Sequence, residues 1–333
     1  MMPTLTVQKL RTHFFTKAGV VKAVDGVDFS VMPGQIMGLV GESGSGKSMT
    51  GYSIIGLVDE PGRIVEGRIL LKGEDIRPFS AQQLREIRGN RIATIFQDPM
   101  MTLNPVLRVD TQMIEAITAH HRISRSAARE RAREALARVG IPSPDERLNA
   151  YPHQFSGGMR QRVAIAIALL NKPDLIICDE PTTALDVTIQ GQILFEMQKL
   201  CRESGTSLIW ITHDLSVVAG LADTVSVMYA GRIVEAGPVA DVLEAPRHPY
   251  TAGLIASTPA AAARLGQVRG QPLAQIPGMT PSLLRLPAGC AFRERCNRAT
   301  DICKTEPPLV TDPGGVALRC FHPLTVVRET SNA

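Results

Sequence analysis

The chain has 333 residues, with 36 Lys and Arg against 32 Asp and Glu and a 44% hydrophobic share. That apolar fraction excludes disorder throughout, and a net charge of +4 spread over this length gives no footing for a nucleic-acid partner. No run approaches the ~18–20 apolar residues that span a bilayer; the longest, residues 163–170, is short and flanked by Arg160, Arg162 and Lys172. The first residues lack an apolar h-region, so no secretory signal is expected. At ~150 residues per domain the length suggests about two domains.

Leu5, Val7 and Leu10 alternate loosely, and Val24, Val27, Phe29 and Val31 give a second strand-like run ending at Pro33-Gly34. Residues 35–41 form a short apolar run that predicts a strand buried on both faces, and residues 48–57 predict a helix. Residues 99–155 change character. Asn104-Pro105 breaks the chain, Ser124 can cap an Ala- and Arg-rich helix over 125–139, and Gly140 closes it. This segment reads as a helical subdomain inserted into a sheet domain. No aromatic interleaves with its arginines, which argues for a solvated face and against nucleic acid. Helices over 159–170 and 188–203 then alternate with strands over 175–178 and 207–211, predicting a parallel sheet with crossover helices. Beyond residue 237 proline recurs (238, 246, 249, 259, 272, 277, 281, 287) and long periodic helices are absent. An irregular extension of turns and short strands is expected there.

The strongest motif is Gly41-Glu42-Ser43-Gly44-Ser45-Gly46-Lys47-Ser48, followed by Met49. It matches G-x-x-x-x-G-K-[ST] between a predicted strand and a predicted helix. Glycines let several backbone N–H groups converge on one anion, and the helix N-terminus adds positive charge. Lys47 would serve the β- and γ-phosphates, and the Ser48 hydroxyl would ligate Mg²⁺. A second motif is Asp179-Glu180 at the end of an apolar strand. Asp179 would hold Mg²⁺, partly through water, and Glu180 would act as general base, a role worth ~10²- to 10⁴-fold. Ser156-Gly157-Gly158 opens a predicted helix and forms a second anion-seeking N-terminus. Two such ends separated by a subdomain suggest that the second serves a nucleotide held by another subunit.

Cys178 and Cys201 are isolated in apolar surroundings, whereas Cys290, Cys296, Cys303 and Cys320 crowd the tail. In a reducing compartment they suggest a metal site rather than disulfides. Their spacings are wider than those of zinc fingers, and four thiolates suit either Zn²⁺ or an iron–sulfur cluster.

Together with Gln97, Ala184-Leu185-Asp186 and His213, these motifs occur in an order that resembles ABC transporter ATPase subunits over residues 3–258. His248-Pro249-Tyr250-Thr251-Ala252-Gly253-Leu254 and the cysteines of the tail resemble the D-type ATPases of oligopeptide/dipeptide importers. The resemblance implies an α/β P-loop fold: an ATPase domain over 1–258, its helical subdomain at about 99–155, and a cysteine-bearing extension over 259–333. It implies ATP hydrolysis by two subunits that sandwich ATP head to tail, so that the loop and Asp179-Glu180 of one face the Ser-Gly-Gly of the other. Gln97 would sense Mg²⁺ and the γ-phosphate, His213 would orient the water and Glu180, and Asp186 would lie at the dimer contact. The resemblance implies a [4Fe–4S] cluster at the four cysteines, with Zn²⁺ the alternative. It also implies a second, F-type ATPase, two membrane permeases, an extracytoplasmic solute-binding protein, and a place on the cytoplasmic face of the membrane. Phe155 stands where the family's signature usually has Leu, and Met159 where it has Gln. Phe14, Phe15 and Val21 are the candidates for stacking on adenine.

Overall fold

The structure is a computed structural model that describes residues 1–98, 102–182, 187–259 and 274–325. In chain order its elements are β1 (Leu5–Thr16), β2 (Gly19–Val31), β3 (Ile36–Val40), α1 (Lys47–Ile54), β4 (Gly62–Leu71), β5 (Glu74–Asp75), α2 (Ala81–Ile87) and β6 (Ile92–Ile95). There follow α3 (Val109–Thr118), α4 (Arg125–Arg138), α5 (Pro144–Leu148), α6 (Gly157–Leu169), β7 (Leu175–Asp179), α7 (Val187–Ser204) and β8 (Ser207–Thr212). The last are α8 (Leu215–Leu221), β9 (Thr224–Tyr229), β10 (Arg232–Pro238), α9 (Val239–Glu244), α10 (Pro249–Ala256), β11 (Val310–Thr311) and β12 (Ala317–Leu318). The chain divides into two compact units. One comprises Met1–Thr6, Ser30–Ile36 and Ile69–Ile211; the other comprises Val7–Phe29, Met37–Arg68 and Thr212–Ala333.

In the first unit β6, β7 and β8 lie parallel, with Ile95 opposite Cys178 and Cys178 opposite Trp210. Every residue of β7 and β8 is buried. That explains their unbroken apolar runs, because a parallel strand covered on both faces has no reason to alternate. The Ala- and Arg-rich run is the helix α4, capped by Ser124, whose side chain accepts from Ala127 N. Its apolar stripe is narrow: Ala128, Ala132 and Leu136 recur at i, i+4, i+8 and are buried, while arginines cover the rest. One of them, Arg129, reaches Asp110 of α3 at 2.6 Å, and Arg108 holds the same carboxylate at 3.1 Å through Nε. Burial works against ionisation of Asp110, yet the hydrogen bond and charge of Arg108 win, and its pKa is lowered.

In the second unit β2, β1 and β4 are neighbours in one sheet. In another, β3 runs parallel to β9, with Val40 opposite Val227. β9 and β10 then form an antiparallel hairpin, with Arg232 opposite Tyr229. The sequence reading placed no strands here. Its turn is Ala230-Gly231, both at positive φ (48° and 82°), the conformation of a tight two-residue hairpin turn, but with Ala where Asn or Gly is the usual marker. β10 also pairs with β12, and β12 with β11, so the tail adds strands to this sheet. Tyr229, Tyr250 and Phe292 meet in one aromatic cluster, with centroids 4.6 to 5.4 Å apart. The cluster joins the tail to the unit's core.

Among the described residues no helix is long and apolar enough to cross a membrane.

Candidate functional site

The phosphate loop occupies the predicted place, between the wholly buried β3 and α1. Gly41 and Gly46 are fixed by close backbone approach. A Cβ on Gly41 would stand 2.2 Å from Met228 O, and one on Gly46 2.2 Å from Ala23 O. Gly46 sits at φ 103° as the residue before α1, which has neither a side-chain cap nor an acidic residue in its first turn. The helix N-terminus thus carries no side-chain cap from its N-cap residue and no acidic residue in its own first turn, which favours an anion there. Ser43 and Gly44 are exposed, while Lys47 is buried and donates to Gly41 O at 2.8 Å and Glu42 O at 3.0 Å. Ser45 Oγ is buried without a hydrogen-bond partner among the described residues. Ser48 and Met49 are half-buried on the first turn of α1.

Glu42 makes contacts that the sequence reading missed. Arg295 Nη1 donates to its Oε2 at 2.7 Å and Arg295 Nη2 to its Oε1 at 3.0 Å. Thr280 Oγ1 adds a bond of 2.8 Å, and Glu42 N donates to Tyr250 Oη at 2.9 Å. The Arg295 hydrogen bond, helped by Thr280, outweighs burial and holds the Glu42 carboxyl below its ordinary pKa. Partners more than 200 residues apart leave no local trace in a sequence.

In the first unit Asp179 ends β7, buried, and Glu180 follows at φ 46°. A non-glycine residue there costs roughly 1–3 kcal/mol and is held by its surroundings; Glu180 N donates to Ile211 O at 2.9 Å. Gln97 lies two residues beyond β6, the parallel neighbour of β7. This register brings Gln97 Nε2 to 3.3 Å from Glu180 Oε2. Two residues 83 apart are thus joined by a contact the sequence reading did not anticipate. Ser156 caps α6, its side chain accepting from Met159 N at 3.3 Å. Ser156 and Gly157 are exposed, and a Cβ on Gly157 would meet nothing within 4 Å. Phe155, which replaces the usual Leu, is buried with Arg147 5.7 Å above its ring, so the departure is absorbed by local packing. His213 follows β8, exposed, just before the Asp214 cap of α8. Asp186 lies outside the described residues. Of the candidates for stacking on adenine, Phe15 is exposed, with Arg63 4.2 Å from its ring centroid, and Phe14 packs against Gly62.

Cys290, Cys296, Cys303 and Cys320 line one small cavity together with His248, and none forms a disulfide. Among the described residues, however, no three or more His, Cys, Asp or Glu side chains are grouped to hold a metal ion. The expected metal site at the four cysteines is therefore not borne out as a coordination shell. Burial raises the Cys290 pKa and pushes Cys320 up to about 11, where the three other thiols add to it. His248 caps α10, its Nδ1 accepting from Tyr250 N, and burial lowers it to about 3, so the ring is neutral.

Comparison with known proteins agrees with this geometry. The family model for ABC transporters matches residues 24–183, and the one for the oligopeptide/dipeptide transporter C-terminal region matches residues 234–303. The oligopeptide transport ATP-binding protein AppD of Bacillus subtilis is 46% identical over 323 residues, 96% of this chain and 97% of that protein. OppD of Escherichia coli is 47% identical over 320 residues, covering 96% and 93%. A dimeric ATP-binding cassette solved in a post-hydrolysis state with ADP and Pi superposes with a TM-score of 0.64 at 26% identity, over 71% of this chain and 98% of that one. Its fold is thus the α/β P-loop fold of the ATP-binding cassettes, and the chain belongs to the ABC transporter ATP-binding subunits of the oligopeptide/dipeptide transporter family.

Proposed function

We propose that this chain is the ATP-hydrolysing subunit of an importer for peptides or related small solutes, working at the cytoplasmic face of the membrane. The observation that carries the reading is the folded phosphate loop, in which two glycines locked by backbone contacts lead into an uncapped helix N-terminus beside Lys47. The relatives named above are oligopeptide transport proteins. The importer's remaining chains would be two permeases, an extracytoplasmic solute-binding protein and a second ATPase of the F type. The ATPase domain spans 1–258 in this reading, with its helical part at about 99–155 and the extension from 259.

Each unit contributes its own groups. Backbone N–H groups of residues 41–48 cradle the phosphates, and Lys47 balances β- and γ-phosphate charge. Mg²⁺, when bound, neutralises charge developing on the phosphate oxygens. The Ser48 hydroxyl and the Gln97 amide oxygen are the hard donors suited to it, since the amide N–H of Gln97 is given to Glu180. Asp179 would help to hold the ion, partly through water. Glu180 takes the proton of the attacking water, and His213 orients that water. Ser156, Gly157 and Gly158, on an open helix N-terminus, serve the triphosphate held by the opposing ATPase.

Replacing Glu180 by Gln keeps the shape and removes the base. In the assembled transporter, turnover should fall ~10²-fold or more while an ATP-bound dimer accumulates. Phosphate release at the parental rate would refute the assignment. At the cysteines we propose a [4Fe–4S] cluster, which separates its four thiolates over the corners of a cube, whereas one Zn²⁺ ion draws them to ~2.3 Å from a single point. What supports a shared site is that all four thiols line one cavity. Iron and sulfide assays on anaerobically purified protein test this; zinc alone, or no metal, rejects it.

A further inference from the structure

Glu42 is the one carboxylate in the octet of the phosphate loop. A negative side chain there opposes the triphosphate that the loop is built to hold. Besides the nearby charge of Lys47, the structure surrounds it with hydrogen bonds drawn from the C-terminal part of the chain. Arg295 forks onto both carboxylate oxygens, Thr280 adds a third hydrogen bond, and Tyr250 fixes the Glu42 backbone. Arg295 is itself held in place. It is 8% exposed, its Nε donates to Pro277 O at 2.9 Å, and its guanidinium lies 5.8 and 5.9 Å from the rings of Tyr229 and Phe292. An arginine this enclosed cannot swing away to water, and a planar fork on a carboxylate fixes orientation as well as charge.

We propose that Arg295 is a positioning residue of the nucleotide site: it cancels the charge of Glu42 and pins the start of the phosphate loop, so that the cysteine-bearing tail sets this chain's affinity for ATP. The inference rests on reading residues 41–48 as the ATP site. It assigns the tail a task inside the catalytic cycle. Arg295 directly precedes Cys296, so whatever orders the cysteine segment also orders the guanidinium.

The test is an equilibrium titration of the full chain with a fluorescent ATP analogue, with thermal melting as the control for folding. Lys47→Ala checks the underlying reading: if the parent binds no nucleotide, or Lys47→Ala binds like the parent, that reading fails, whatever Arg295 does. If it stands, Arg295→Met should weaken ATP binding about 10-fold or more, because it leaves a carboxylate of the phosphate loop without its guanidinium partner. Added salt should narrow that gap through screening. The double variant Glu42→Gln/Arg295→Met should return to within about 3-fold of the parent, since both charges are gone. A purely structural role predicts the reverse, a double variant no better than the single one. Arg295→Met binding like the parent, or a double variant that recovers nothing, overturns the proposal. Should Arg295→Met fail to fold, Arg295→Lys decides: it keeps the charge without the fork, so a loss of about 3-fold or more that Glu42→Gln reverses supports the proposal, and binding like the parent, or a loss that Glu42→Gln leaves unchanged, overturns it.

Discussion

A single methyl group added to Gly46 tests the geometry of the phosphate loop directly. Gly46 sits at φ 103°, and the added Cβ would stand 2.2 Å from Ala23 O and 2.9 Å from Met228 Cε. The methionine tip can move, but the Ala23 carbonyl belongs to the backbone of β2 and cannot rotate out of the way. The left-handed conformation costs an L-residue ~1–2 kcal/mol, and forcing a carbon into filled space adds ~1–3 kcal/mol. The sum is about 2–5 kcal/mol. The loop can escape this strain only by leaving its phosphate-binding conformation, so the cost falls on nucleotide affinity: at 1.4 kcal/mol per decade, roughly 30- to 4,000-fold. Gly44 supplies the control within the same loop. It too has positive φ, 76°, but a Cβ there would meet nothing within 4 Å. Gly44→Ala should therefore cost only the conformational ~1–2 kcal/mol, about 5- to 30-fold. Titration of both variants with a fluorescent ATP analogue decides the matter. If Gly46→Ala binds as tightly as Gly44→Ala, the backbone contact does not govern the loop and the reasoning fails.

Two further outcomes follow from the site and its surroundings. His248 is lowered to about 3 by burial, which the Arg319 carbonyl only partly opposes. Below its unfolded pKa of about 6.5 the unfolded chain takes up a proton that the native chain refuses. Its contribution is thus complete above that pH and is lost as pH falls towards 3, at up to ~1.4 kcal/mol per pH unit. Urea midpoints measured at pH 7 and pH 5 should drop accordingly, and less so in His248→Gln; an equal drop in both would remove His248 as the cause. Ser156→Ala removes the hydroxyl that caps α6, costing about 1 kcal/mol of stability. In the assembled transporter it should lower ATPase turnover about 5-fold or more, whereas a stability loss of that size alone leaves the folded population, and so turnover, almost unchanged. Phosphate release near the parental rate would confine Ser156 to capping.

What the sequence made legible is what chemistry requires to be contiguous. An anion cradle needs its glycines, lysine and hydroxyl within one turn, so residues 41–48 are readable as a string. Asp179-Glu180 is readable because a strand must end where its carboxylates face the ligand. The pairing of Gln97 with Glu180 is different in kind. It depends on β6 and β7 lying side by side in register, which nothing in the sequence reading indicated. The positive φ of Glu180 is invisible in a residue that gives no sign of it. The hairpin of β9 and β10 was missed for a similar reason, since Ala230 occupies a left-handed position normally betrayed by Asn or Gly. The cysteines show the opposite error. Their clustering in sequence suggested a metal site; the structure places all four around one cavity, and spacing says nothing of how far apart the sulfurs stand. The Glu42 contacts lie furthest from reach: the acidic residue in the phosphate loop makes electrostatic sense only once Arg295, 253 residues later, is seen to meet it. A tail that reads as an appendage in one dimension therefore closes over the catalytic loop in three, and the residues most easily matched to a motif depend on one that no motif within the loop contains.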